Sequence, residues 1–93
     1  MILRGTIIEE VAPNHTSVIV LFQKDKSKQH FEVHCEFNPW NEKMRKWDTW
    51  DFKIRWSSEI FTEQKTGIKS YFTHLICSKA KLFHINGAVG NEF

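Results

Sequence analysis

Between residues 47 and 56 the chain reads Trp-Asp-Thr-Trp-Asp-Phe-Lys-Ile-Arg-Trp. Successive side chains of a strand point to opposite faces, so Trp50, Phe52, Ile54 and Trp56 share one face and Asp51, Lys53 and Arg55 the other. The same period of two recurs upstream. Phe31, Val33, Cys35 and Phe37 alternate with His30, Glu32, His34 and Glu36, which predicts a strand with one core face and one wet face. Leu3 to Val11, rich in Ile and Val, predicts a first strand, with Gly5 marking a bulge or bend. Ser17 to Gln23 is apolar on both faces and predicts a second strand buried on both. The fourth strand continues from the Trp-rich stretch to Phe61. A hairpin turn follows at Gln64-Lys-Thr-Gly67, whose glycine can take a positive φ. A fifth strand is predicted from about Lys69 to Ala80, with an extension over 81–85.

The period changes between the third and fourth strands. Asn38 suits an N-cap and Pro39 a first helical position. Trp40, Met44 and Trp47 follow at i, i+4 and i+7, one face of a helix. This predicts a short helix that plugs the bottom of a barrel, with Trp40 and Trp47 packing it in place. The order of three strands, helix and two strands is that of an all-β fold with one short helix, the five-stranded OB-fold barrel. One such domain would occupy residues 1–85, and 86–93 would form a flexible C-terminal tail.

Ninety-three residues bury only roughly 60–65% of the surface that the unfolded chain exposes. Most large apolar side chains are therefore needed for a core, which argues against a deep enzymatic cleft. No phosphate-binding loop, Gly-x-Ser-x-Gly or His-Glu-x-x-His motif occurs, so the chain reads as a non-enzyme without cofactors. His34 and Cys35 point to opposite faces of a strand, which disfavours a metal site there. Net charge is +2, but unevenly spread. Residues 1–42 hold four Lys/Arg against six Asp/Glu, and residues 43–81 hold nine against four. A basic second half predicts one positive face and an anionic partner. No run of 18 apolar residues exists, Met1-Ile-Leu-Arg-Gly leads straight into a strand, and Cys35 and Cys77 read as buried free thiols. The expected location is cytoplasmic, with no membrane contact.

Trp47-Asp-Thr-Trp-Asp-Phe-Lys-Ile-Arg-Trp56 followed by Gly67-Ile-Lys-Ser-Tyr-Phe-Thr73 resembles the bacterial and phage single-strand DNA-binding protein family. Asp48 matches the acid of that family's Gly-Asp pair, with Trp47 in place of the glycine. Trp50, Phe52, Ile54 and Trp56 match its alternating apolar positions. Gly67 and Tyr71 keep its glycine-to-aromatic spacing, and Arg4-Gly-Thr-Ile7 resembles its first strand. The resemblance covers roughly residues 2–82. It implies an OB-fold that binds single-stranded DNA without sequence preference and protects it in replication or recombination, in a bacterial cell or a phage-infected host. Replication or recombination proteins are the expected protein partners, and exposed barrel edges would favour a homo-oligomer. The Asn91-Glu92-Phe93 end would be a disordered terminus or, alternatively, a partner-docking tip.

Binding a single strand needs cations along its path and flat side chains on which bases stack. The candidate cations are Lys53, Arg55, Lys65 and Lys69, and the candidate stacking residues are Trp56, Phe61 and Tyr71. Phe72 is adjacent to Tyr71 and so faces the other way; one of the two is expected to stack and the other to be core. Trp50, Phe52 and Ile54 are assigned to the core. The acidic face of the third strand, Glu32 and Glu36, opposes DNA lying across it. RNA is the alternative ligand. The alternative function is an OB-fold protein-interaction module in which the aromatics are core and an exposed edge or the acidic strand face meets a protein.

Overall fold

The computed structural model describes residues 1–84. It contains five strands: β1 (Ile2–Ile7), β2 (Ser17–Phe22), β3 (Phe31–Cys35), β4 (Thr49–Thr62) and β5 (Lys69–His84). They hydrogen-bond in the ring order β1-β2-β3-β5-β4, and β4 returns to β1. Neighbours run antiparallel except β3 and β5, which are parallel. This is the predicted five-stranded all-β plan, and closure leaves no unpaired edge around the ring.

Alternation places the core. Val18, Val20 and Phe22 of β2, Val33 of β3, Trp50, Phe52 and Ile54 of β4, and Leu75 and Cys77 of β5 are buried. Each large apolar side chain so buried contributes about 1.5–3 kcal/mol relative to exposure. Ile19 and Leu21 are only half-buried, so β2 is not sealed on both faces as its composition predicts. Gly5 is where β1 and β2 approach closely. A Cβ there would collide with Val20 Cγ1 and lie 3.0 Å from Phe22 Cδ1.

The predicted helix is absent. Residues 38–48 form successive turns. The cap forms as expected, with Asn38 Oδ1 accepting the Asn41 N–H at 3.2 Å. The turn is not propagated, because Lys43 (φ 65°) and Trp47 (φ 75°) adopt left-handed backbone conformations. Nucleating a helix costs more than so short a segment returns. The barrel also takes its backbone groups: Trp47 N–H donates to Ile7 O at 2.6 Å, and Ile7 N–H to Asp48 O at 3.0 Å. Met44 is fully buried and does plug the barrel. Trp40 is half-buried under the Arg45 guanidinium, 3.5 Å from the ring centroid. Trp47 is exposed rather than packed against the barrel.

Two features of β5 position everything that follows. Lys53 pairs with Lys79 but Ile54 pairs with Cys77, so Ser78 has no partner on β4. This bulge reverses the alternation: Leu75 and Cys77 point inward before it, whereas Ala80, opposite Phe52, takes the inward position after it. Beyond the ring, Ser57–Thr62 pairs only with Lys69–His74 and forms a projecting two-stranded arm. Six residue pairs make it about 20 Å long. The turn at its tip carries Gly67 at φ 70°, as predicted. The expected tail, 86–93, lies outside the described residues.

Candidate functional site

Cross-strand partners share a face, so the register sorts the arm's side chains. The pairs Trp56 with Leu75, Ile60 with Tyr71, and Thr62 with Lys69 continue the plane of the barrel interior. The pairs Arg55 with Ile76, Glu59 with Phe72, and Phe61 with Ser70 continue the barrel's outer surface. Trp56, Ile60, Phe61, Ile68, Tyr71 and Phe72 are each 49–67% exposed. Phe61 and Phe72 meet edge to face, with centroids 6.0 Å apart. With Ile68 they border an open concavity of about 380 Å³. Neither Tyr71 nor Phe72 is core, contrary to expectation: they lie beyond the ring, where no second layer exists to bury either face.

The predicted residues therefore fall into two groups. Lys53, Arg55 and Phe61 occupy the outer face, while Trp56, Lys69 and Tyr71 occupy the opposite one. Lys65 sits in the turn at the tip. Phe61, Lys69 and Tyr71 lie on the arm with Lys65 at its tip, Arg55 and Trp56 stand at its base, and Lys53 lies in the ring, so no single plane unites them. Arg55 is already engaged, donating to Glu36 Oε2 at 2.9 Å. Such an exposed pair contributes only about 0–1 kcal/mol and screens readily.

Trp56 also borders a cleft of about 300 Å³ between the arm's base and β3, with Phe31, His34, His74 and Leu75. His34 and His74 contact edge to face at 5.4 Å. The acidic face of β3 is partly compensated here. Glu32 lies 3.6 Å from His34 Nε2 and accepts the Ser17 hydroxyl at 2.9 Å, and Glu36 holds Arg55.

Sequence reasoning missed a group on the ring's outer surface. Lys53 and Lys79 lie directly opposite each other, and Lys81 lies opposite Asp51. Arg4 binds Asp51 through two hydrogen bonds of 2.7 and 3.1 Å, which hold the Asp51 carboxyl below its ordinary range. The same guanidinium lies 3.5 Å from the Phe83 ring centroid. Strict alternation from Leu75 and Cys77 would turn residues 79 and 81 inward, so only knowledge of the bulge reveals the lysine group. Elsewhere, burial pushes the Cys35 thiol up to about 12, helped by Cys77, its register partner. Cys77 is raised as well, chiefly by burial.

No protein-family model and no curated protein sequence matches the chain. Its fold is similar to that in the crystal structure of the mitochondrial single-stranded DNA-binding protein of S. cerevisiae, with a TM-score of 0.56 and 14% identity over 90% of this chain and 93% of that one.

Proposed function

We propose that this chain binds single-stranded DNA without sequence preference and shields it during replication or recombination. The observation that carries the reading is the arm: two strands with exposed aromatic rings on both faces, cations at the tip, and no core to explain the rings. An exposed apolar group of this size signals an interaction surface. Flat rings beside Lys65 and Lys69 suit a base-and-phosphate ligand better than a purely apolar one. The likeness to a single-stranded DNA-binding fold supports the same reading.

Tryptophan emission tests it directly, because Trp56 is exposed at the arm's base. Titration with oligo-dT should quench emission at low salt and weaken steeply at moderate salt. Absence of both quenching and a gel shift at low salt would overturn the proposal. Competition between matched DNA and RNA oligomers separates the two ligands. A second reading, a protein-interaction module, draws on Ile60 and Ile68, exposed aliphatic side chains that offer bases no stacking surface. It predicts concentration-dependent association through the arm with no oligonucleotide binding.

A further inference from the structure

We infer that Lys53, Lys79 and Lys81 form a phosphate-binding patch on the outer face of β4 and β5, at the barrel end of a single-strand path that continues to Phe72 and Phe61. The inference rests on the function proposed above and adds a site to it. All three lysines are exposed, and the register brings them together: Lys53 opposite Lys79, and Lys81 two residues further along the same face of β5. They line a shallow depression of about 250 Å³ with Ile2, Asp51 and Ala80. Among the described residues, none of the three forms an ion pair. The nearest acid on that face, Asp51, is committed to Arg4. Its field reaches Lys81, but the Arg4–Asp51 pair is neutral as a unit, so the patch keeps three positive charges.

Continuity with the arm gives the patch its direction. Lys53, Arg55 and Phe61 lie on one face of a single unbroken strand. From Lys53 to Phe61 is about 26 Å at ~3.3 Å per residue. That length is compatible with a site of several nucleotides, within the roughly 4–16 that one OB-fold covers. Phosphates would meet the lysines at the barrel and bases would meet the rings on the arm, so the two requirements of single-strand binding are met in sequence along one surface.

The test is a salt titration of oligo-dT binding. Each phosphate contact on a single strand contributes about 0.7 to the slope of log affinity against log salt. Replacing all three lysines (K53Q, K79Q and K81Q together) should therefore lower the slope by about 2. A control carrying K24Q, K26Q and K28Q, in the loop after β2, removes the same charge from elsewhere. It should keep the wild-type slope. Circular dichroism checks that both variants fold, which the exposure of every replaced side chain favours. An unchanged slope in the first variant, or an equal loss in the control, overturns the patch and leaves the proposed function standing. If the wild-type chain fails to bind oligo-dT, both fall together.

Discussion

Phe52 and Trp56 lie four residues apart on the same face of β4, yet Phe52 is fully buried and Trp56 is exposed. The difference is what stands opposite. Phe52 meets Phe22 edge to face at 6.4 Å across the barrel, whereas Trp56 stands at the rim. Phe52→Ala should therefore cost about 3–5 kcal/mol of stability, measured by urea unfolding. Trp56→Ala should leave unfolding nearly unchanged and weaken oligo-dT binding by about 1–3 kcal/mol. Equal effects of the two on stability would contradict the assignment. At this scale the chain was largely legible. The alternation that separates Trp50, Phe52 and Ile54 from Lys53 and Arg55 is a direct consequence of strand geometry. Trp47 was not legible, because its helical spacing to Trp40 and Met44 is real but the backbone never becomes helical.

The arm is an element the sequence marks only by its turn. Gly67 and its flanks announce a hairpin, but nothing local says that its outer half leaves the barrel. That depends on where β1 and β3 end, a property of other segments. An isolated two-stranded ribbon is marginal in water, and this one is held by the ring at its base. Joining Ser57 to His74, which are cross-strand partners, through Asn-Gly would remove residues 58–73 and keep a permitted hairpin turn. All the residues removed are exposed, so the thermal midpoint should stay near that of the full chain. Oligo-dT affinity should fall at least about tenfold with the loss of the Phe61 and Tyr71 stacking surfaces. Retained affinity would place the binding surface on the ring instead.

For the whole molecule, the five-stranded all-β plan was recoverable because each strand shows its own alternation, while the lysine patch was not, because it is assembled across strands. The ring also explains why the two thiols titrate late. The folded chain keeps protons on Cys35 and Cys77 that the unfolded chain releases near pH 9. A group that holds its proton more tightly when folded makes stability fall as pH rises between its unfolded and folded values. Urea midpoints should thus decline from pH 8 to pH 10, and less so in Cys35→Ala; an identical decline in both would rule the thiol out. One last consequence follows from Ser78, a residue that β4 leaves without a partner. It behaves like a change of reading frame within β5: upstream, Leu75 and Cys77 face the core at odd positions, and just downstream Ala80 does so at an even one. Its exposed side chain could become alanine almost silently. Deleting the position would join Cys77 directly to Lys79 and leave both lysines outward, whereas pairing Ser78 with Lys53 would turn Lys79 and Lys81 inward, at several kcal/mol for each buried charge, against a total stability of about 5–15 kcal/mol for a domain. The skipped residue is therefore a spacer: it lets Leu75, Cys77 and Ala80 share the interior while Lys79 and Lys81 stay in water.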